Sequence, residues 1–183
     1  FGGKQNVPIV IRMIIGRGWG QGPTHSQNLQ SFFAHIPGLK VISASTPNEV
    51  GNLLYSSIFD PNPVIFLEHR WLHEITGKSP KKFKNVNLNK CKILKRGNGI
   101  TLITHSYMVL ECLKASKILK AEINIDCEVV DLVSLSPVDY NTLIKSLKKT
   151  KKALIIDTSN ASCGIAPTVK SYLDTYFFNK GKY

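Results

Sequence analysis

Apolar and polar positions alternate along this chain in two strand-and-helix series, separated by a polar, lysine-rich stretch. In the first series, residues 7–15 hold Val7, Ile9, Val10, Ile11, Met13, Ile14 and Ile15. Such a near-continuous apolar run predicts a buried strand. Leu29, Phe32, Phe33 and Ile36 then fall at i, i+3, i+4 and i+7, the spacing of one inward helix face. Pro37 and Gly38 stop that helix, and residues 39–44 read as a second strand. Thr46-Pro47-Asn48-Glu49 has the form of a capping box with proline at the first helical position. The helix it opens would turn Val50, Leu53, Leu54, Ser57 and Ile58 inward, until Asp60-Pro61-Asn62-Pro63 ends it. Residues 64–67 are continuously apolar and predict a strand buried on both faces.

Residues 77–97 break the pattern and read as a basic linker. The second series opens with a strand at 100–104 and a helix with Val109, Leu110, Leu113, Ile118 and Leu119 mostly inward. A strand at 127–132 follows. Pro137-Val138-Asp139 then opens a helix carrying Leu143, Ile144 and Leu147. A strand at 153–156 and a last helix at 165–178 complete the series. Strands alternating with helices predict parallel sheets and an α/β fold. The second unit ends without a closing strand, and the chain opens on Phe1 rather than methionine. Both features read as a chain that begins and ends inside its domains.

Composition narrows the class. With 43% hydrophobic and 20% charged residues, the chain is globular rather than disordered. No apolar run reaches the roughly 18–20 residues of a membrane span, no secretory signal is read at the start, and no membrane is expected as a partner. Cys91, Cys112, Cys127 and Cys163 lie far apart, which argues against zinc and against a disulfide framework. A reducing compartment is expected, cytoplasmic or, in a eukaryote, the mitochondrial matrix. The net charge of +12 suggests nucleic acid or an acidic partner. The lysines, however, gather in the linker and at one helix end with little aromatic interleaving, so nucleic acid is not the expected partner.

The chemistry concentrates in one stretch. Between the first strand and first helix lie Gly16, Gly18, Gly20, Gly22 and Pro23, then Thr24-His25-Ser26-Gln27. A glycine loop crossing from strand to helix stands at the carboxyl edge of a sheet, where α/β folds bind ligands. His25 at the helix entrance is the candidate functional residue. The loop is neither a Walker loop nor a G-x-G-x-x-G fingerprint. Glu68, His69 and His73 cluster after the third strand. A metal there lacks a third ligand, so a polar strand end lining a domain or subunit contact is the better reading. His105 and Ser106 are adjacent and lack an orienting acid, which argues against a catalytic triad.

The run from Val7 to Arg12, Gly22-Pro23-Thr24-His25-Ser26-Gln27, His35-Ile36-Pro37-Gly38-Leu39-Lys40-Val41 and the stretch from Asp60 to Glu68 together resemble the beta subunit of thiamine-diphosphate-dependent 2-oxo acid dehydrogenases. These enzymes act on pyruvate, branched-chain 2-oxo acids or acetoin, within the wider transketolase superfamily. The resemblance implies that residues 1–76 are the second half of a three-layer pyrimidine-binding domain. Residues 98–183 would be most of a mostly parallel transketolase carboxyl-terminal domain. It implies oxidative decarboxylation of a 2-oxo acid with acyl transfer to lipoamide, and His25 near the acyl acceptor. It also implies thiamine diphosphate with magnesium, held mainly by an alpha subunit and by a segment upstream of Phe1 that carries the activating glutamate. The chain alone would therefore be inactive. The partners implied are the alpha subunit in a heterotetramer and the lipoyl domain of an acyltransferase core.

A monovalent cation, usually potassium, would lie at Ile9, Ser57, Ile58, Asp60 and Asn62. A helix end capped by Asp60 and Asn62 with no ion is the other reading of those residues. Asp157 stands where the family often has glutamate and receives no role. A transketolase-like ketol transferase and a non-catalytic basic binding module are the alternative functions.

Overall fold

The computed structural model describes residues 4–181. In chain order its strands are β1 (Val10–Ile15), β2 (Lys40–Ser43), β3 (Val64–His69), β4 (Lys92–Lys95), β5 (Ile100–Thr104), β6 (Cys127–Asp131), β7 (Ser134–Ser136) and β8 (Ala153–Ile155). Its helices are α1 (Gln30–Ala34), α2 (Pro47–Ile58), α3 (Met108–Ile123), α4 (Tyr140–Thr150) and α5 (Ile165–Phe178). A single 3-10 turn, Arg70–Leu72, follows β3. The strands form two four-stranded sheets, ordered β1-β3-β2-β7 and β4-β6-β5-β8. Strands β1, β3 and β2 run parallel, as do β6, β5 and β8, while β7 and β4 are antiparallel edges. The α/β reading therefore holds. Among the described residues no helix is long and apolar enough to cross a membrane.

Period-two alternation divides each sheet between two cores. In the first sheet Ile42, Val64 and Phe66 face α2, and Val41, Ile65 and Leu67 face the other way. That second face shares one core with Ile103 and Val130 of the second sheet and with α4 and α5. The outer face of the second sheet packs Leu102, Cys127 and Val129 under α3. Strand β7 belongs by sequence to the second series, yet it pairs with β2 in the first sheet. The two series are thus joined by a common core and by a borrowed strand.

Several expectations change. The first strand is shorter than 7–15 and lies at a sheet edge, so Val7, Ile9, Ile11 and Ile14 are exposed rather than buried. Helix α1 has five residues, and its inward side chains are Gln30, Phe33 and Ala34, with Leu29, Phe32 and Ile36 exposed. One turn of helix cannot carry a four-residue apolar stripe inward. In α2, Leu53 and Ser57 are buried, but Ile58 is exposed at the helix end. Neither half of the capping box forms, since Thr46 caps α2 without a side-chain bond and Glu49 pairs with Lys92. Ile118 of α3 is also exposed.

Residues 77–97 are not a free linker. Val86 and Leu88 pack on the α2 core, and the Val86 N–H donates to Ser56 Oγ at 2.7 Å. Gly51 lets the Phe83 ring approach α2, since a Cβ there would stand 2.5 Å from the ring. Strand β4 pairs with β6. Its flanking lysines hid it, because an edge strand tolerates charge that a central strand does not.

Candidate functional site

The loop at 16–28 leaves the carboxyl end of β1 and closes on itself. The Gly16 N–H donates to the Gln27 carbonyl (3.1 Å), and the Trp19 N–H donates to the Gly16 carbonyl (3.0 Å). The Gln21 N–H donates to Ser26 Oγ (2.7 Å). Gly18, Gly20 and Gly22 all have positive φ, between 75° and 84°, a region that side chains other than glycine resist. The Arg70 guanidinium lies 5.8 Å from the centroid of the Trp19 ring. His25 sits on the outer side of this loop, exposed, with its backbone N–H on the Gly22 carbonyl at 3.4 Å. An exposed imidazole on a folded-back loop can exchange a proton with a ligand without leaving a packed site.

Nearby, a cavity of about 420 Å³ opens at the same edge of the first sheet, with Arg12, Ser45, Thr46, Glu68, His69 and His73 among its lining residues. Arg12 Nη2 donates to both carboxylate oxygens of Glu68 (2.8 Å to Oε1 and 2.9 Å to Oε2), and His73 Nε2 lies 3.9 Å from Oε2. His69 is buried, and its ring stacks on Tyr107 of the second unit at 5.4 Å, with Trp71 edge-on to the same tyrosine at 4.8 Å. The strand end after β3 is a domain contact. Burial, with His105 and His73 nearby, pushes the His69 imidazole down to about 4, so it is neutral at pH 7. Its Nδ1 accepts the Trp71 N–H, which leaves the proton on Nε2.

The structure supplies the acid that the sequence around His105 lacks. His105 Nε2 lies 3.2 Å from Asp157 Oδ1, and its Nδ1 lies 3.3 Å from Ser43 Oγ. Serine, histidine and aspartate from three strand ends thus form one chain, which adjacency in sequence could not reveal. Ser43 is fully buried and His105 nearly so, and a nucleophile without access cannot meet a substrate. The chain is a structural tie between the two units. Ser106, the neighbour weighed with His105, has a buried hydroxyl that takes no part in it. Burial alone would raise the Asp157 carboxyl, but the His105 ring and the Ser159 hydroxyl and N–H hold it well below the usual carboxylate range. Asp131, buried beside them, is pushed up to about 6 by burial, against the Ser45 hydroxyl, the Val133 N–H and the nearby His105 ring.

The residues expected around a cation meet at the opposite, amino edge of the first sheet. The Ile9 carbonyl takes the Val64 N–H (2.8 Å), and the Ser57 carbonyl takes the Asp60 N–H (3.3 Å). Asp60 pairs with Lys40 through one carboxylate oxygen, and its other oxygen accepts both the N–H and side-chain amide of Asn62 at 2.9 Å. Ile58 is exposed beside them. Among the described residues no three His, Cys, Asp or Glu side chains gather as a metal site.

Residues 1–74 match the pyrimidine binding domain of transketolase, and residues 89–183 match the transketolase C-terminal domain. The chain is similar to the pyruvate dehydrogenase E1 component subunit beta of Mesostigma viride, with 38% identity over 97% of this chain and 54% of that one. It is also similar to the acetoin:2,6-dichlorophenolindophenol oxidoreductase subunit beta of Cupriavidus necator, with 37% identity over 93% of this chain and 50% of that one. The chain spans about half the length of the curated relatives it matches. Among solved structures, a split-gene transketolase described as an inactive beta4 tetramer superposes with a TM-score of 0.76, covering 94% of this chain and 55% of that one at 20% identity. That likeness concerns the fold.

Proposed function

We propose a function from family and geometry together: this chain belongs to the transketolase family, its curated relatives are beta subunits of 2-oxo acid and acetoin dehydrogenases, and it carries part of such a subunit's active site. The reaction is oxidative decarboxylation of a 2-oxo acid, with transfer of the acyl group to lipoamide. Thiamine diphosphate, when bound, supplies the carbon centre that adds to the 2-oxo acid and takes up its electrons on loss of carbon dioxide. We place the diphosphate and its magnesium with an alpha subunit, and ring activation with the segment upstream of Phe1, as the resemblance implies. The working assembly is then a heterotetramer that serves a lipoyl domain, in the cytoplasm or the mitochondrial matrix.

The observation that carries this reading is the exposed His25 on a glycine loop at the carboxyl edge of a pyrimidine-domain sheet. The loop's internal bonds fix the path of its backbone, and His25 is left to hold or deliver a proton at the imidazole as the acyl group moves. Such help is worth roughly 10²–10⁴ in rate. In the full-length enzyme with its alpha partner, His25→Ala should depress the lipoamide reaction by that factor. An artificial electron acceptor, which bypasses the lipoyl group, should recover much of the rate. Equal loss in both assays would place His25 earlier in the reaction, and no loss in either would end the reading.

The amino-edge cluster is proposed as the potassium site. The carbonyls of Ile9, Ser57 and Ile58 and the turn at Asp60 and Asn62 supply hard oxygen donors, which suit such an ion. Asp60 and Asn62 already bond one another, and Asp60 also holds Lys40. The Asp60 carboxylate therefore shapes the turn, while the main-chain oxygens, each with a second lone pair, would hold the ion.

A further inference from the structure

Three side chains of the first unit reach across to one turn of the second. Arg17 Nη1 donates to the Thr158 carbonyl (2.9 Å), the Asn28 side-chain amide donates to the Thr158 hydroxyl, and Gln30 Nε2 donates to Asp157 Oδ1 (3.1 Å). Arg17 opens the glycine loop, and Asn28 and Gln30 close it. The two stems are also tied to each other, because Asn28 Oδ1 accepts the Arg17 N–H at 2.9 Å. Asn28 and Gln30 are buried polar residues within and beside a short helix, where apolar side chains would otherwise pack. From these contacts we infer that the turn at Asp157 and Thr158, at the carboxyl end of β8, is the positioning device of the glycine loop: it grips both stems and so sets where His25 stands.

The turn is built to be rigid. The Asp157 carboxylate accepts from the Ser159 N–H (2.9 Å) and hydroxyl (2.7 Å), from the Ala166 N–H at the start of α5 (3.3 Å), from His105 and from Gln30. A carboxylate with its lone pairs engaged on all sides cannot turn away from Gln30 without leaving several donors unpaired. His105 carries the tie onward to Ser43 of β2. The loop it grips is of the opposite kind. Three glycines at positive φ carry its turns, and its internal bonds fix those turns but leave the stems to be fixed from outside. Without the grip, the loop would keep its local turns but lose its place over the sheet edge. Asp157 and Thr158 are positioning residues, and they act on the reaction only through His25. Their catalytic meaning therefore rests on the function proposed for that histidine.

The test needs neither cofactor nor partner subunit. Hydrogen exchange of the chain itself, followed by mass spectrometry, reads the amides of residues 16–28 against those of β5 and β6. Thr158→Val keeps the shape of the side chain and removes the acceptor, and Asn28→Ala removes the donor. Each should speed loop exchange about ten- to a hundredfold, the shift expected for loss of a part-buried hydrogen bond network, with β5 and β6 unchanged. The double variant should exchange no faster than Asn28→Ala alone, which removes the same bond to Thr158 together with the acceptor of the Arg17 N–H. Asp157→Asn keeps an oxygen for Gln30 and should protect the loop better than Asp157→Ala. Loop exchange that stays at the wild-type rate in Thr158→Val and Asn28→Ala would overturn the inference, as would an equal rise in β5 and β6. A failure of His25 in the lipoamide assay would leave this result standing, so the two ideas fail separately.

Discussion

Two strand-to-helix crossings meet across the junction of the units, one after β1 and one after β8. The first is long, carries four glycines and shows His25 to solvent. The second is shorter, and the side chain of Asp157, two residues past β8, is buried among five donors. Both stand at the carboxyl edge of a mainly parallel sheet, the edge where ligands meet α/β folds. Only one of them faces outward. The glycine crossing spends backbone order to bring a side chain to a ligand, and the aspartate crossing spends desolvation to hold its neighbour still. A site on a loop needs a rigid scaffold behind it, and here the scaffold is the equivalent crossing of the other sheet.

The widest break in this comparison would be a frame that is not shared. Phe66 is fully buried in the first sheet and touches the α2 core. Phe66→Ala should cost about 3–5 kcal/mol. Because β7 and the common core tie the sheets together, the loss should appear as one transition in urea. Fluorescence of Trp19 and Trp71 reports the first unit, and far-ultraviolet dichroism reports the whole chain. The two should shift together. Separate midpoints would mean that the aspartate crossing can stay folded while the glycine crossing has lost its sheet.

Acid and alkali pull on the junction in opposite senses. His69 has a folded value of about 4 against an ordinary 6.5. The unfolded chain therefore binds the proton more tightly between those values, and stability from this group rises with pH across that window. Asp131 has a folded value of about 6 against an ordinary 3.8. There the folded chain binds the proton more tightly, and stability falls as pH rises from 3.8 through 6. Each effect is worth roughly 3 kcal/mol at 1.36 kcal/mol per unit. Between pH 4 and 6 they should nearly cancel, leaving wild-type stability flat. His69→Gln should then make stability fall with rising pH in that range, and Asp131→Asn should make it rise. Melting curves at half-unit intervals would show both slopes, and two parallel flat profiles would remove the junction from the pH response. Asp157 acts lower, with stability lost as pH falls below 3.8.

The far edge of the first sheet offers a third contrast, because Lys40, Asp60 and Asn62 there bond one another within the first unit. If the carbonyls of Ile9, Ser57 and Ile58 hold potassium, potassium should raise thermal stability over lithium at matched ionic strength. Mass action gives about 2.7 kcal/mol at a hundredfold excess over the dissociation constant. Asp60→Ala, which frees Lys40 and Asn62 and lets the turn relax, should abolish the difference. Identical melting curves in the two salts would leave the capped helix end as the whole account of this cluster.

Much of this was legible in the sequence, and the parts that were not share a cause. Strand β3 was legible in the continuous apolar run at 64–67, helix α5 falls where a last helix is expected, at 165–178, and the glycine loop was legible from composition alone. Strand β4 was lost among lysines. Strand β7 was lost because Ser134 and Ser136 flank a single leucine, and because pairing with β2 is a tertiary fact. The same holds at the site. His25 sits in a contiguous motif and could be singled out. The tie from Ser43 through His105 to Asp157 draws on three segments up to 114 residues apart in sequence, so no local spacing announces it. Asp131 hid for another reason, since a lone acid at a strand end gives no sign that it will be buried.

Helix α1 tests that limit at the smallest scale. Its spacing places Phe32 and Phe33 together on one inward face, whereas the structure turns Phe33 to the shared core and leaves Phe32 70% exposed. The two readings differ by several kcal/mol for one substitution. A core phenylalanine cut to a small residue costs about 3–5 kcal/mol, while a surface change away from caps and networks stays within about 0.5 kcal/mol. Phe32→Ser should therefore leave the urea midpoint almost where it was, and Phe33→Ala should lower the unfolding free energy by an amount on the order of 1 kcal/mol, as befits a half-buried ring, and the midpoint with it. The pair is its own control, because both residues lie on the same turn beside the same loop stem. If Phe32→Ser were the costlier of the two, the apolar stripe would be right. Helix α1 would then be rotated, and Gln30 could no longer reach Asp157.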